Sequence, residues 1–444
     1  MTANNPKSIN RRTFMQHSSQ GAFTLAALSS APTVLASQSP NEVIGVGHIG
    51  VGVRGTQLVQ EVAGDPERGR PGITNTQIRA ISDIYQPHME KGIRMSGNPS
   101  AKRYPNYQDM LADPDIDAVV IAVPDHWHAN MVIDAANAGK DIYVEKCWTR
   151  TLPEAKAMLK TIKYNGTVMQ LGHDRSSAAG MIAAELIRNG ALGEVTLVNT
   201  STYRNRPRGK DEWRWYGAYQ NFERPEESMV EKNLDWKRFL GNAPYHPFSM
   251  ERFWHWRCYW DYGTGISGDL LSHSFDFVQF ILNMGIPHSC VTAGSINFLH
   301  DGRETPDTWH SIFEYPQQNL TLTYNSTFNS QQQTTHTAEI RGKDAYMWVD
   351  KDDYEIYVEE QPRYQDELES GKASLSKPYM KFNPQDAPEL PTHMEDFFNC
   401  VRSRQKPKDN EDEAFIEAVT CIMSVEAYFR KRQVFWDPER QEIV

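Results

Sequence analysis

Cysteine is scarce. The 444-residue chain has five, Cys147, Cys258, Cys290, Cys400 and Cys421, an odd number at wide spacing with no Cys-x-x-Cys pair. A disulfide framework and a zinc knuckle are therefore not indicated. Long apolar runs are missing too. None reaches the roughly 18 residues of a spanning helix, so no membrane span is expected. Basic charge is in deficit, with 46 Lys and Arg against 57 Asp and Glu and a net charge of −11. That balance argues against a nucleic-acid partner, which needs a basic face. No internal repeat occurs. What the chain does have is 39% hydrophobic residues, enough for a folded core. Its length predicts two or three domains at about 150 residues each. Eleven Trp and 19 Tyr fit an aromatic cleft that stacks on sugars, and fit a large core equally well.

The first 36 residues read as an address. Asn10-Arg11-Arg12-Thr13-Phe14-Met15 sets a twin arginine before an apolar residue, a small-residue apolar stretch follows over 21–36, and Val34-Leu35-Ala36 suits a signal peptidase. This resembles a twin-arginine export signal cut after Ala36, which predicts a periplasmic protein with no lipid anchor, since no Cys follows. That route carries folded proteins and is used when a cofactor must be inserted before export. A chain that folds in the reducing cytoplasm needs no disulfides even if it works outside.

From 37 to 172 apolar strands alternate with helices: strands over 43–49, 78–82, 118–123, 141–144 and 168–171, helices over 56–63, 129–138 and 154–164. Such alternation predicts a parallel, doubly wound Rossmann sheet. From 173 to 444 the pattern predicts an α+β domain on an open, mainly antiparallel sheet, with strands over 195–203, 291–298, 309–315, 320–328 and 346–349. Residues 209–252 read as a long polar, aromatic loop, 359–390 as a surface excursion, and 394–402 and 413–432 as closing helices.

Two overlapping G-x-G-x-x-G registers occur, Gly45 to Gly50 and Gly50 to Gly55. Only the second lies between a strand and a helix. In it Gly50 permits the tight turn and Gly52 lets a pyrophosphate approach. Val53 and Arg54 open the helix, and Gly55 brings that helix close to the strand. A glycine-rich turn without a ligand would read the same way. Asp83 closes the second strand, where a carboxylate accepts from ribose hydroxyls and repels a 2′-phosphate, favouring NAD over NADP. Asp83 would also serve as a helix N-cap before Pro87. Glu145-Lys146 ends the fourth strand at the edge that faces the ligand crevice, unless it is a surface ion pair. Asp269 and His273 stand at i and i+4, so on an α-helix a carboxylate would meet an imidazole and make it a better base. A purely structural helix has the same spacing. A metal site from Asp269, His273, His126 and His128 is conceivable but lacks a dense ligand motif, so no metal is assigned.

Together these motifs resemble the Gfo/Idh/MocA oxidoreductases, the glucose–fructose oxidoreductase and inositol dehydrogenase family. The resemblance covers most of the chain after residue 36. It rests on the 50–55 glycines, Asp83, Val123-Pro124-Asp125-His126-Trp127-His128 and Glu145-Lys146. Further along it rests on Leu234-Asp235-Trp236 with Phe239-Leu240-Gly241, on Trp260-Asp261-Tyr262-Gly263-Thr264-Gly265, and on Asp269 with His273. It implies that Lys146, Asp269 and His273 are the catalytic set. His273 would take the hydroxyl proton, Asp269 would orient His273, and Lys146 would bridge cofactor and substrate. It implies that Pro124, His126 and His128 line the cofactor beside Glu145, and that Gln170, His173 and Arg175 reach cofactor or substrate. Tyr203, Trp260 and Tyr262 are further substrate candidates. The family usually has Pro after the Glu-Lys pair; this chain has Cys147. The expected protein is an exported oxidoreductase that moves a hydride between a sugar or glycoside hydroxyl and tightly bound NAD, with formation of 3-keto glycosides as a role the resemblance suggests. Family members also lead to the expectation of a dimer or tetramer. One alternative is an NAD-dependent glycoside hydrolase acting by transient C3 oxidation and elimination, with Tyr203, Tyr262 and His255 as extra acid/base candidates. Another is a non-catalytic sugar-binding protein.

Overall fold

The computed structural model describes residues 42–173, 177–204, 225–330 and 338–444. The export motif and Arg175 lie outside the described residues. Six strands form a wholly parallel sheet: β1 (Ile44–Ile49), β2 (Thr76–Ser82), β3 (Lys102–Tyr104), β4 (Ala118–Ile121), β5 (Asp141–Glu145) and β6 (Met169–Gly172). Their order, β3-β2-β1-β4-β5-β6, is that of a dinucleotide-binding fold. Strands β1, β4, β5 and β6 are buried along their whole length, as strands covered on both faces must be. Only β3 escapes the apolar pattern. It is a short edge strand whose Lys102 and Arg103 are exposed.

The helices have local causes. Leu152–Asn165 begins with a reciprocal Thr151–Glu154 capping box and a Pro in its first turn, and ends at Gly166 in the left-handed region. His393–Ser403 begins with a second such box, Thr392 with Glu395. Its Met394, Phe397 and Phe398 pack into the core built by β1, β4 and β5, so this late segment covers one face of the first sheet.

A ten-stranded sheet follows, in the order β14-β13-β12-β11-β7-β10-β9-β8-β15-β16. Its members are β7 (Val195–Tyr203), β8 (Ser289–Ser295), β9 (Thr308–Tyr315), β10 (Leu320–Thr327), β11 (Ala338–Gly342), β12 (Ala345–Val349), β13 (Tyr354–Val358), β14 (Met380–Lys381), β15 (Val434–Asp437) and β16 (Glu442–Ile443). Only β7 and β10 run parallel; every other pair is antiparallel. Strands β9 and β10 alternate buried and half-buried or exposed residues. One face therefore packs inward, and the other bears exposed Val291 and Ile312. The described part of 209–252 is not one loop. It holds short helices at Glu227–Asn233, Trp236–Leu240 and Met250–Trp254. No helix among the described residues is long and apolar enough to cross a membrane.

Candidate active site

The second glycine register is the one the fold uses. The chain leaves β1 at Gly50 with φ of +86°, and a Cβ there would lie 2.4 Å from the Ala122 carbonyl oxygen. A Cβ on Gly55 would lie 2.1 Å from the Gly50 oxygen, so this glycine lets the helix Val53–Ala63 sit against the turn. A Cβ on Gly52 would meet nothing within 4 Å. Gly52 is also the N-cap, and no side chain caps that helix end. An open face above uncapped helix N–H groups is what a pyrophosphate needs. Gly45 and Gly47 of the other register face the core, against the Asp115 oxygen and Met110.

Asp83 stands at the end of β2, and its carboxylate accepts from the backbone N–H of Val51 at 2.7 Å and of Tyr85 at 2.8 Å. It thus ties β2 to the glycine turn. It does not cap the next helix, whose N-cap is Tyr85. Two accepted bonds leave a carboxylate with capacity for ribose hydroxyls. Arg54 donates from Nε to Glu145 at 2.7 Å and pairs with Glu61 at 3.2 Å, joining the glycine helix to the end of β5.

Lys146 follows Glu145 directly, and its peptide bond to Cys147 is cis. Its Nζ donates to Asp269 twice, to the carbonyl and to Oδ1, both at 2.7 Å. Arg257 Nε donates to the same Oδ1 at 3.0 Å. Burial opposes ionisation of Asp269, but Lys146 and Arg257 override it and hold the carboxyl well below the usual range. Cys147 fills the place after the Glu-Lys pair with a buried thiol. Its Sγ lies 3.2 Å from Asp125 Oδ2 and 3.4 Å from Thr264 Oγ1, and burial pushes its pKa well up.

The expected bond between Asp269 and His273 is replaced by another. Ser267–Leu271 is a turn of π-helix, closed by the Ser272 N–H on the Ser267 oxygen. This wider turn breaks the α-helical i, i+4 register and gives the Asp269 carboxylate to the two cations. His273, in the helix Ser272–Leu282, instead places Nδ1 3.1 Å from Nδ1 of His173. Nε2 of His173 lies 2.8 Å from Glu417 Oε2, and both side chains are 2% exposed. His273 itself is exposed. The protein crowding its ring, and then the Lys146 charge, keep its pKa well below that of free imidazole. Burial lowers His173 to about 4.

Other expected site residues make contacts within the protein. His126 places Nε2 2.7 Å from the Phe239 carbonyl, and Trp127 Nε1 donates to the same oxygen at 3.0 Å. The His126 N–H donates to the Tyr262 carbonyl at 3.2 Å. Three of the sequence motifs thus brace one another here. Tyr262 is fully buried beside His126 and Phe239. His128 is also fully buried, held between the carbonyls of Cys147 at 2.7 Å and Val123 at 2.9 Å. Both rings are buried and meet backbone carbonyls, His128 those of the strand-end loops. Pro124 is half-buried at the start of the loop after β4. Gln170 donates to the His393 carbonyl at 2.7 Å and so anchors the covering helix away from His273. Trp260 donates to the Glu304 carbonyl and packs on Tyr428 and Phe429. Tyr203 ends β7, half-buried. No group of three or more possible metal ligands occurs among the described residues.

Two residues at the site carried no motif. Arg257 lies in an aromatic segment, stacked 4.0 Å from the Trp256 ring. Glu417 did leave a signal, being a carboxylate within the apolar run Ala414–Met423 of the helix Glu411–Arg430. A charge on a buried helix face asks for a partner.

A parallel sheet in this order, a glycine turn open above a helix end, and a mostly buried lysine–aspartate pair just past β5 are the features of a nucleotide-binding enzyme. The chain belongs to the Gfo/Idh/MocA oxidoreductase family. Residues 43–173 match its NAD-binding Rossmann domain and 184–335 its C-terminal alpha/beta domain. An uncharacterized oxidoreductase of Escherichia coli, YdgJ, is 27% identical over 214 residues, 48% of each chain. An alpha-N-acetylgalactosaminidase of Shewanella oneidensis is 27% identical over 176 residues, 38% of this chain and 37% of the relative. The match thus spans about half the length of these curated relatives or less. Among solved structures, levoglucosan dehydrogenase in complex with NADH and levoglucosan shares the fold. It has a TM-score of 0.64 at 18% identity, over 89% of this chain and 99% of that one.

Proposed function

We propose that the protein oxidises and reduces hydroxyl carbons of sugars or glycosides with a retained nicotinamide cofactor, NAD in preference to NADP. The observation that carries this reading is that Lys146, bonded to Asp269, and His173, paired with His273, directly follow β5 and β6 at the sheet edge that also bears the open glycine turn. A bound nicotinamide supplies the hydride acceptor. Gly52 and the helix end behind it would hold its pyrophosphate, and Asp83 its ribose. An exposed neutral imidazole, His273, takes the hydroxyl proton. Lys146, fixed by two bonds to Asp269, presents positive charge where the alkoxide develops. The dehydrogenase neighbour with NADH and a sugar supports this reading. So does the twin-arginine pattern at residues 10–15. Outside the cytoplasm there is no free NAD pool, so the cofactor stays bound and a second sugar recycles it in ping-pong fashion. We further propose export to the periplasm and a homo-oligomeric assembly.

The test is a screen of glycosides for the 340 nm reduced-nicotinamide signal of the protein as purified. A signal that H273N abolishes supports the reading; no signal with any sugar, despite bound NAD, defeats it. The likeness to an alpha-N-acetylgalactosaminidase favours a second reading, in which the oxidised sugar eliminates its glycosidic bond. Cleaved product with no net change in the cofactor would select it; a stable keto sugar would reject it.

A further inference from the structure

Glu417 is a buried carboxylate on a helix far along the chain, and nothing in the hydride step calls for it. Its Oε2 lies 2.8 Å from His173 Nε2, an ion-pair contact close enough to need a proton between the two atoms though not aligned as a hydrogen bond, and His173 Nδ1 lies 3.1 Å from His273 Nδ1. The two rings stand nearly perpendicular, at 83° with centroids 4.7 Å apart. A neutral imidazole has one donor and one acceptor nitrogen, and an ionised carboxylate only accepts. Each contact therefore dictates the next. Ionised Glu417 requires the proton of His173 on Nε2. His173 Nδ1 must then accept, so the proton of His273 sits on Nδ1. Nε2 of His273 is left with a lone pair, as a base needs. Among the described residues no hydrogen bond engages that nitrogen.

We infer that Glu417 and His173 are positioning residues that set the tautomer of His273 and store the proton that it takes from substrate. This rests on the proposed function for its substrate, though not for its geometry. During alcohol oxidation a bound nicotinamide would accept the C–H electron pair as hydride, leaving a carbonyl carbon. The O–H proton passes to His273 Nε2, the His273 Nδ1 proton to His173 Nδ1, and the His173 Nε2 proton to Glu417. The relay ends as a buried neutral acid with His273 protonated on Nε2, poised to donate. Reduction of a second carbonyl reverses each transfer. The site thus holds both the hydride and the proton between half-reactions, with no proton drawn from solvent. Other charges face the pair: Glu145 and Lys146 from the end of β5, Asp269 and Asp276 from the π-turn and its helix, and Lys351 beyond β12. On Glu417's own helix the buried Cys421 thiol is its neighbour.

Nitrogen-15 NMR of histidine-labelled protein reads the tautomers without turnover, with H173N and H273N assigning the signals. Wild type should show His173 protonated on Nε2 and His273 on Nδ1. E417Q, which cannot take up the proton, should mix these tautomers. It should also lower kcat about tenfold and move the acid limb of kcat/KM down by roughly one pH unit, because an anion near the base is gone. E417D, which keeps the charge, should restore the limb. His273 protonated on Nε2 in wild type, or tautomers unchanged in E417Q, overturns the relay. Expected tautomers in a protein that reduces no nicotinamide with any sugar would retain the relay and overturn the proposed function.

Discussion

The glycine turn makes a prediction that separates folding from cofactor binding. Gly50, Gly52 and Gly55 look alike in the motif but differ in what a methyl group would meet. At Gly52 it meets nothing within 4 Å, and φ is −66°, which alanine adopts freely. G52A should therefore leave the empty fold intact, and even stabilise it by about 0.4–1 kcal/mol through the unfolded chain. The same methyl projects where the pyrophosphate is proposed to lie. An overpacking cost of about 1–3 kcal/mol there weakens NAD binding by roughly 5- to 150-fold. At Gly55 the methyl would sit 2.1 Å from the Gly50 oxygen, so G55A should cost the fold itself about 1–3 kcal/mol or more. Urea unfolding of nucleotide-stripped protein gives the stability, and calorimetric titration with NAD gives the affinity. A G52A protein with wild-type NAD affinity would refute the placement of the pyrophosphate. A G55A protein as stable as wild type would refute the packing argument.

Replacing Asp269 by Asn leaves Lys146 and Arg257 facing a neutral amide. Because both are partly exposed, the loss should be about 3 kcal/mol or less in urea unfolding, with activity lost as well. H273N should lose sugar-dependent nicotinamide reduction while keeping its nucleotide content; equal loss of nucleotide would assign His273 to cofactor binding. Stability should fall in two acid windows. Burial holds His48 and His126 at about 3, so the unfolded chain binds more protons below its ordinary histidine value of 6.5, and the urea midpoint should drop as pH falls through that window. Asp269 is depressed below 3.8, so its contribution is complete above that value and is lost only at lower pH, and D269N should remove this second limb. A midpoint equal at pH 7 and 5 would contradict the first window. All five cysteines are buried and unpaired with one another. A thiol reagent should label none in the native protein and all five in urea.

The strands that were legible are those with a continuous apolar run or a clean alternation. Strands β1, β2, β4, β5 and β6 of the first sheet and β7 to β10 of the second fall within a few residues of their expected limits. The short edge strand β3 was not legible, because its exposed lysine and arginine carry no burial signal. Nor were β13 to β16: β14 and β16 are two residues long, and β15 takes its place by pairing with distant β8. At the site, the glycines, Asp83 and Lys146 stand where their motifs implied. The contacts that His126, His128, Tyr262, Trp260 and Gln170 make with loops and helices were not legible. A motif records that a residue is needed, whether it touches a ligand or holds the backbone that does. The exchange of Asp269 for His173 as the partner of His273 was hidden in one π-turn. Spacing arithmetic assumes 3.6 residues per turn and cannot see a local widening. Glu417 was hidden by sequence distance, 244 residues from His173 by their numbering.

We propose that this chain holds a nicotinamide dinucleotide and works with it in place. The most direct measurement is to purify the protein without added nucleotide, denature it, and identify and count what is released. The account predicts NAD or NADH near one per chain and little NADP. A protein that releases no nucleotide, and that binds neither NAD nor NADP when they are supplied, would contradict it.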